Sequence, residues 1–379
     1  MDRHFLIGMD VGSTTVKAVV IDEATDQIAW SDYQRHDTKQ PEKVLEFLKR
    51  FDTEIDGFQA RHSRIFITGS GGNGMSKFLG AKFVQEVNAV SLAVEKLYPE
   101  CGSVIELGGQ DAKIIIFKKD PETGRKKKMP SMNDKCAGGT GAVIDKINAK
   151  LRIPSEQLCQ MGYKGLKLHP VAGKCGVFAE TDINGLQKMG VPPDQLMASL
   201  FEAIVMQNLS VLTRGNTLLP VVLLLGGPNC YIKGMRDCWK HNIPKIWEER
   251  NTELPAGVPP EDLIRTPDNA QYFAAIGSVE FGKTEEAEIG QYIGWEKLEW
   301  YVTVGREEEK AKRGGNGGLA KDAADLARFK EKYRTKKFIP TVFKPGDVVE
   351  GFVGIDGGST STKAVLLSKD KERRILDKT

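Results

Sequence analysis

The chain has 379 residues, a length sufficient for two domains and a large hydrophobic core. Its formal net charge of +3 argues against a nucleic-acid-binding surface, and no uninterrupted apolar stretch is long enough to cross a membrane. The N-terminus also lacks the basic and then apolar order of a secretion signal, so we expect a cytosolic protein whose six cysteines stay reduced or bind metal.

Strand and helix patterns alternate along most of the chain. Runs of β-branched and other apolar residues predict strands at residues 5–11, 16–21, 63–68, 103–107, 113–118 and 220–225. Apolar residues at helical spacing predict helices at residues 42–50, 89–97, 142–151 and 197–214. This order favours an α/β fold with mixed sheets.

The first predicted strand ends in an acid and a turn rich in glycine and hydroxyl residues, and a second strand follows. The turn and its flanks contain Asp10, Gly12, Ser13, Thr14, Thr15 and Lys17. Backbone N–H groups and hydroxyls in such a hairpin tip can point at a phosphate, while the acid holds its magnesium ion or a water. An ordinary hairpin turn is the alternative for one copy, but residues 354–365 repeat the phrase almost unchanged.

Two further turns also place glycines directly after a predicted strand. A second sequence of strand, acid, glycine pair and strand contains Glu106, Gly108, Gly109, Gln110, Asp111 and Lys113. A third turn follows a buried-strand pattern and would let a nucleoside approach the backbone closely, at Gly226, Gly227, Pro228 and Asn229. The glycine-rich residues 69–74 are either another loop lining the cleft or a flexible turn between a strand and a helix.

The three turns, in this order, resemble the nucleotide motifs of the superfamily of acetate and sugar kinases, heat-shock chaperone ATPases and actin. Members of that superfamily enclose ATP and magnesium between two duplicated ribonuclease H-like lobes. The resemblance implies the same fold for this chain, with two ribonuclease H-like lobes of mixed sheets and an ATP site between them.

Two cysteines lie in segments that are not expected in a sugar kinase. Cys136 precedes a glycine-rich run and a predicted helix, and Cys175 is flanked by small residues that would let a bulky cofactor approach. The free N–H groups and dipole of a helix N-terminus favour a thiolate or the sulfur shell of an iron–sulfur cluster. Because such a cluster usually takes four thiolates, a symmetric dimer giving two from each subunit would complete the set. The other cysteines are interpreted as small buried hydrophobes, namely Cys101, Cys159, Cys230 and Cys238.

Residues 4 to 282 resemble the ATP-dependent activators of 2-hydroxyacyl-CoA dehydratases and the related ATPase subunits of benzoyl-CoA reductase. The resemblance includes the Gly-Gly-Thr-Gly run after Cys136 and the Val-Phe-Ala-Glu run after Cys175. It implies a homodimer with one 4Fe-4S cluster at the interface, in which ATP binding and hydrolysis change the angle between the helices facing the cluster and drive an electron to a partner. The implied acceptor is a CoA-ester dehydratase or a related cluster-containing reductase, and the implied donor is ferredoxin or flavodoxin-like.

The resemblance also implies roles for individual residues. Cys136 and Cys175 would bind the cluster, and the helix beside it would be capped by Gly138, Gly139, Thr140 and Gly141. Asp10 and Glu106 would lie near magnesium and the attacking water, with Gln110 as a further catalytic residue. The phosphates would be cradled by Gly12, Ser13, Thr14, Thr15, Lys17, Gly108, Gly109, Gln110, Asp111 and Lys113. The adenosine would be held by Gly226, Gly227, Pro228 and Asn229. Glu106 stands where the superfamily commonly has aspartate, and Pro228 where the small activators usually have valine.

The repeated turn near the end of the chain predicts the domain organisation. We expect an ATPase domain at residues 4–285 with its cluster segment at 133–183, a charged linker at 286–346, and the start of a second, incomplete ATPase domain at 347–379. A strand, a turn and another strand cannot bury a core alone, so the second copy is part of a longer protein or a strand pair docked on the first domain. We favour the former, because the arrangement resembles the N-terminal portion of large fused activators.

Two other functions use the same motifs. A small-molecule kinase would need a carboxylate as base for a substrate hydroxyl, and Asp182 is the candidate, although a helix-surface acid is the plainer interpretation. A chaperone-like or scaffold ATPase would hydrolyse ATP slowly and use neither metal cluster nor redox partner. The basic run at residues 125–128 is interpreted as a solvated loop.

Overall fold

The computed structural model of the protein describes residues 3–120, 122, 124, 126–133, 139–312, 320, 322–335, 337–358 and 361–379. The strands are β1 (Phe5–Val11), β2 (Thr15–Asp22), β3 (Gln27–Arg35), β4 (Ser63–Thr68), β5 (Lys82–Phe83), β6 (Ser103–Leu107), β7 (Ala112–Lys119), β8 (Lys126–Asn133), β9 (Val222–Leu225), β10 (Ile264–Arg265), β11 (Gly351–Gly357), β12 (Thr362–Ser368) and β13 (Ile375–Lys378).

The helices are α1 (Gln40–Glu54), α2 (Gly72–Leu79), α3 (Glu86–Leu97), α4 (Gly141–Leu151), α5 (Ser155–Gln160), α6 (Gly176–Lys188), α7 (Pro193–Leu212), α8 (Gly227–Tyr231), α9 (Lys233–Glu249), α10 (Phe273–Lys283), α11 (Glu296–Trp300), α12 (Arg306–Lys312) and α13 (Ala323–Lys332). Of the fully described segments, Ala60–His62 and Pro260–Leu263 form 3₁₀ turns, and Tyr301–Gly305 forms a π-helical turn.

The first two sheets repeat one topology. The first has the order β3-β2-β1-β4-β5, and the second has the corresponding order β8-β7-β6-β9-β10. In each sheet the initial three strands run antiparallel and the remaining two add in parallel. The repeat places the β1–β2 turn and the β6–β7 turn at equivalent positions of two lobes, and it confirms the predicted α/β fold with two mixed sheets.

Helices α3 and α10 lie between the two sheets. One buried cluster joins Leu6 and Phe66 of the first sheet to Val104 and Leu223 of the second through apolar side chains of both helices. The two helices approach so closely that a Cβ atom built on Gly277 would lie 1.6 Å from the carbonyl oxygen of Ala89. This central layer therefore fixes the spacing of the two lobes.

Each lobe also has a core on its outer side. The first sheet packs on α1 and α2 through residues such as Phe47 and Phe51. The second packs on α4, α6, α7 and α9, with Trp239 and Phe201 fully buried. Helix α7 is apolar and long enough to cross a membrane by length and composition alone, but most of its apolar side chains lie inside this core.

The first compact unit extends to Arg306, beyond residue 286, where the linker was predicted to begin. Tyr292 and Leu298 are buried against the first lobe, and the amide of Tyr292 donates to the carbonyl of Ser63 at 2.9 Å. Residues 286–306 thus cover part of the first lobe, because the apolar side chains of Tyr292 and Leu298 pack against its core.

The second unit, residues 307–379, contains the repeated turn. Strands β11, β12 and β13 form an antiparallel sheet in which Asp356 pairs with Lys363, as Asp10 pairs with Lys17 in the first unit. The side chains of Phe352, Val353 and Ile355 are exposed. The two copies of the motif therefore pair their strands in the same way, but the second copy leaves these apolar side chains exposed among the described residues, and the domain division stays a prediction.

The basic run after Gly124 does not form the predicted loop over its described part. Residues 126–128 begin β8 and pair with Phe117, Lys118 and Lys119 of β7. The Lys128 ammonium lies 3.0 Å from the carboxylate of Glu95. The loop prediction is wrong at these three lysines because backbone pairing with β7 outweighs their low intrinsic preference for a strand.

Candidate active site

A cavity of about 570 Å³ opens where the β1–β2, β6–β7 and β9–α8 turns meet. Most of the residues predicted for nucleotide binding line it, namely Gly12, Ser13, Thr14, Thr15, Lys17, Glu106, Gly108, Gly109, Gln110, Asp111, Gly226, Gly227 and Pro228, and Gly141, predicted to cap the cluster helix, lines it as well. Gly69 and Ser70 line it too, so the loop at residues 69–74 contributes to the cleft before α2 begins. The structure thus brings together three turns that are far apart in the sequence.

The two phosphate-type turns have matching backbone geometry and touch each other. The amide of Gly12 donates to the Thr15 carbonyl at 2.9 Å, and the amide of Gly108 donates to the Asp111 carbonyl at 2.9 Å. A Cβ atom on Gly109 would lie 2.3 Å from the Thr14 hydroxyl oxygen. Glycine at this position is therefore what lets the turns of the two lobes approach.

The glycine turn after β9 also requires glycine. Gly226 has a φ of +87°, and a Cβ atom there would lie 2.2 Å from the carbonyl oxygen of Leu107. Both the positive φ and the close contact exclude a larger residue without strain. The chain consequently passes directly over the end of β6 before α8 starts.

Asp10 and Lys17 form a buried ion pair beneath the first turn. Lys17 Nζ lies 2.5 Å from Asp10 Oδ2, and the aspartate side chain is 1% exposed. Burial disfavours the charged ammonium, but the attraction of Asp10 and the hydrogen bond that Lys17 donates to its carboxylate outweigh burial and raise the pKa of Lys17. The lysine therefore remains charged next to the cavity.

Lys113 is the centre of a second charged group. Its ammonium lies 2.7 Å from Glu86 Oε1, 3.1 Å from Asp111 Oδ2 and 3.6 Å from Glu106 Oε2, and its side chain is 1% exposed. Burial acts against the charged lysine, but the three carboxylates raise its pKa well above the usual value. Burial also raises the pKa of Glu106, and it raises the pKa of Glu86 to about 7 despite Lys113.

Two buried carboxylate oxygens in this region have no hydrogen-bond partner within the described chain, Asp10 Oδ1 and Glu106 Oε2. A buried acceptor without a donor is costly, and hard cations prefer such oxygens. Mg²⁺ at a nucleotide site typically uses one or two carboxylates together with phosphates and waters. The donor set therefore fits a magnesium ion that arrives with a nucleotide, although the described residues hold no cluster of three or more candidate side-chain ligands.

Several predicted site residues lie away from the cavity wall. The Asn229 amide is buried and donates to the Ile105 and Leu225 carbonyls, while its oxygen accepts from the Trp239 indole at 2.9 Å. Gly139 and Thr140 lie at the start of α4, where the Gly139 carbonyl accepts from Asn208. Lys113 does not line the cavity, and its ammonium is paired with the carboxylates of Glu86, Glu106 and Asp111. Cys136 and Gly138 lie outside the described residues.

The kinase alternative loses its candidate base. Asp182 Oδ2 accepts a hydrogen bond from the amide of Ala172 at 2.8 Å. The residue lies on α6 and does not line the cavity. Its carboxylate holds the segment before Cys175 rather than facing a substrate.

The cavity is also lined by residues that carry no recognisable sequence pattern. Glu86 begins α3, and Tyr33 and Tyr231 form a ring pair with centroids 5.5 Å apart. Arg35 and Asp145 connect β3 of the first lobe to α4 of the second through two 2.9 Å hydrogen bonds. Glu86 lies three residues before the predicted helix at residues 89–97, so none of these residues had a signal in the sequence.

The second turn is bonded directly to helix α4. The amides of Gly141 and Ala142 donate to the carbonyls of Gly108 and Gly109 at 2.9 and 2.7 Å. Further along α4, Lys146 and Lys150 lie 2.5 and 3.2 Å from the carboxylate of Glu180 on α6. A continuous set of contacts therefore runs from the β6–β7 turn through α4 to α6.

Cys175 occupies the N-cap position of α6. The nearby backbone amides of Phe178 and Val177, in the first turn of the helix, lower the pKa of its thiol. The neighbouring side chains of Val177 and Phe178 are 61% and 64% exposed, so the thiol lies beside an apolar surface. Among the other described cysteines, burial raises the pKa of Cys101 to about 12, and that of Cys238 also rises. Cys159, expected to be buried, instead lines the cavity.

These thiol environments predict different reactivities. In metal-free protein at pH 8, Cys175 is expected to react with iodoacetamide at least about 10-fold faster than Cys101 or Cys238, because only the thiolate is nucleophilic. Peptide mass spectrometry of timed samples gives the rate at each cysteine. A non-hydrolysable ATP analogue should slow labelling of Cys159, which lines the cavity; equal rates at Cys175 and Cys101 would contradict the assigned thiolate site.

Comparisons with known proteins agree with this geometry. The model of the BadF/BadG/BcrA/BcrD ATPase family matches residues 7–246. The (R)-2-hydroxyglutaryl-CoA dehydratase activating ATPase of Acidaminococcus fermentans is 24% identical over 281 residues, covering 72% of this chain and 95% of that protein. The activator of lactoyl-CoA dehydratase of Anaerotignum propionicum is 27% identical over 224 residues, covering 59% and 83%.

Two solved structures share the fold. Component A of the Acidaminococcus fermentans (R)-2-hydroxyglutaryl-CoA dehydratase matches with a TM-score of 0.59 at 23% identity, over 73% of this chain and 97% of that one. The activator of the 2-hydroxyisocaproyl-CoA dehydratase from Clostridium difficile, solved with bound ADPNP, matches with a TM-score of 0.56 at 23% identity, over 73% and 93%. The lobes thus have the actin-like ATPase fold. Since the family model covers more than half of the residues, the chain belongs to the BadF/BadG/BcrA/BcrD ATPase family.

Proposed function

We propose that this protein is a cytosolic ATPase that couples ATP hydrolysis to electron transfer from a 4Fe-4S cluster to a CoA-ester dehydratase or reductase component. The observation that carries the proposal is the bonded connection from the β6–β7 turn to α4 and from α4 to α6. A change at the phosphates can thereby reach the helix that begins next to Cys175. The relatives that activate CoA-ester dehydratases support the choice of acceptor.

The residues that line the cavity would bind the nucleotide. The paired turns present backbone amides and hydroxyls to the phosphates, and Lys17 adds a positive charge. Asp10 and Glu106 would hold magnesium, which neutralises charge that develops on the transferred phosphoryl group. Gly226, Gly227 and Pro228 would form the nucleoside end of the site.

The redox part of the proposal uses Cys175, together with Cys136. Cys175 fits a cluster ligand because helix amides stabilise its thiolate and its surroundings are apolar and exposed. When bound, a 4Fe-4S cluster supplies a one-electron carrier. Two cysteines from each subunit would complete its ligands, so the proposal includes a homodimer, and a ferredoxin or flavodoxin-like protein would donate the electron.

Substitution of the two cysteines tests the redox part. Cys136→Ser and Cys175→Ser, purified without oxygen, are expected to lose the iron–sulfur absorbance and paramagnetic signal while still binding ATP. Cys230→Ser is the matched control, because that thiol donates to Gln271 and lies outside both sites. Unchanged iron content in the first two variants would refute the assignment of the cluster ligands.

A further inference from the structure

The carbonyl group of Gly12, in the turn between β1 and β2, is held by two side chains from outside the cavity. His36 Nε2 lies 3.2 Å from the Gly12 carbonyl oxygen, and Gln40 Nε2 donates to the same oxygen at 2.8 Å. Because His36 Nδ1 accepts from the amide of Thr38 at 3.1 Å, the ring proton lies on Nε2 and points at Gly12. Two donors therefore converge on one backbone oxygen of the first phosphate-type turn.

Both side chains are fixed by their surroundings. His36 directly follows β3 and is 6% exposed. Gln40 is the first residue of α1, and its Oε1 lies 2.9 Å from the position that a Cβ atom on Gly71 would take. Between them, Asp37 and Thr38 have φ values of +46° and +69°, a conformation that is unfavourable for residues with a side chain. The chain accepts this strain in the short turn that brings residues 36 and 40 to the same carbonyl.

The direction of this carbonyl determines the direction of the next amide. In a planar trans peptide, the N–H group of one residue points opposite to the carbonyl of the residue before it. Gly12 and Ser13 both line the cavity, whereas His36 and Gln40 do not. Since the Gly12 carbonyl is turned towards those two side chains, the Ser13 amide is turned towards the cavity.

We propose that His36 and Gln40 are positioning residues for the nucleotide, which hold the peptide between Gly12 and Ser13 so that the Ser13 amide donates to a phosphate. The inference rests on the nucleotide part of the proposed function, and it assigns neither side chain a contact with ATP. Without both donors, the Gly12 carbonyl is free to turn into the cavity, where its oxygen would repel the phosphates. An amide that is already oriented loses less freedom when the phosphate binds, so the two donors increase the affinity for ATP.

The test separates binding of the phosphates from binding of the nucleoside, in the full chain. The double variant His36→Leu/Gln40→Met removes both donors and is expected to raise the Kd for ATP about 10- to 100-fold, the effect of losing one hydrogen bond to a charged group. The Kd for adenosine, which has no phosphate, should stay unchanged. A merely structural role would instead weaken the binding of both ligands, because the whole cavity would be distorted. Isothermal titration calorimetry measures the two constants.

Two further variants serve as controls. His36→Gln combined with Gln40→Met restores one donor, because the amide nitrogen of glutamine can occupy the position of His36 Nε2. Its Kd for ATP should return to within about 3-fold of that of the unmodified protein. Gln34→Met is the same substitution on β3, where the side chain contacts Asp32 and Lys43 rather than the turn, and it should leave both constants unchanged.

Two results would overturn the inference. One is a folded double variant whose Kd for ATP is unchanged, and the other is an equal loss of affinity for ATP and adenosine. If the double variant does not fold, Gln40→Met alone decides: its Kd for ATP should rise about 3-fold at constant Kd for adenosine, and no rise would refute the role. An unmodified protein that binds no ATP would overturn the proposed function as well, whereas equally tight ATP binding by the unmodified protein and the double variant would leave that function standing.

Discussion

Asp10→Asn is expected to reduce ATP hydrolysis by about 100-fold or more, while Asp356→Asn leaves it unchanged. The two aspartates occupy the same position in the two copies of the hairpin, paired with Lys17 and Lys363. Asp10 is 1% exposed and has a buried oxygen without a partner, whereas Asp356 is 69% exposed. Only the first aspartate can give magnesium a site shielded from water.

Steady-state phosphate release with saturating Mg-ATP measures this difference. Asparagine preserves the shape of Asp10 but leaves the buried Lys17 without a counter-charge, so circular dichroism at the assay temperature must confirm that the variant is folded. Equal losses in Asp10→Asn and Asp356→Asn would contradict the idea that the first copy alone completes this ATP site. No loss in either variant would contradict the role of Asp10.

Gly277→Ala is expected to lower the free energy of unfolding by about 3 kcal/mol. The added methyl group would lie 1.6 Å from the carbonyl oxygen of Ala89 and 2.3 Å from its carbonyl carbon. Both atoms belong to the backbone of α3, so no side-chain rotation can relieve the clash and the two central helices must separate. The sheets on either side would lose contacts with them.

Urea denaturation followed by circular dichroism measures the effect. Gly74→Ala is the matched control, since Gly74 also lies in a helix but its added methyl group would meet no atom within 4 Å. There the alanine should be neutral or stabilising by about 0.5–1 kcal/mol, because it restricts the unfolded chain. A Gly277→Ala protein as stable as the Gly74→Ala protein would show that α3 and α10 are not closely packed in solution.

Strands were predicted most accurately from the sequence where an apolar pattern is followed by a glycine-containing turn. Strands β1, β2, β4, β6 and β9 are mostly buried and rich in apolar residues, so they could be assigned from pattern alone. Strand β3 was missed because most of its residues are exposed or half-buried, and β8 because it begins with three lysines. Both are formed mainly by backbone pairing with a neighbouring strand, which composition does not reveal.

The same contrast applies to the candidate site, where the glycine turns were predicted from the sequence and the single residues between them were not. The three turns were found because each needs glycine where two backbones meet, and glycine is visible in a sequence. Glu86, Arg35 and Tyr33 are single residues whose proximity to the cavity depends on how α3 and β3 pack. Asn229 was assigned to the nucleoside because it follows a glycine pair, but α8 turns its amide towards Trp239 instead.

The bonds between the β6–β7 turn and the first residues of α4 make that helix a lever. With 11 residues, α4 is roughly 16 Å long. If it tilts by about 10° around its bonded end, its other end moves by about 3 Å, close to the full length of a hydrogen bond. Lys146 and Lys150 lie along α4 and form ion pairs with Glu180 of α6. A displacement too small to disturb the packing of the nucleotide turns would therefore be magnified before it reaches the helix that begins beside Cys175.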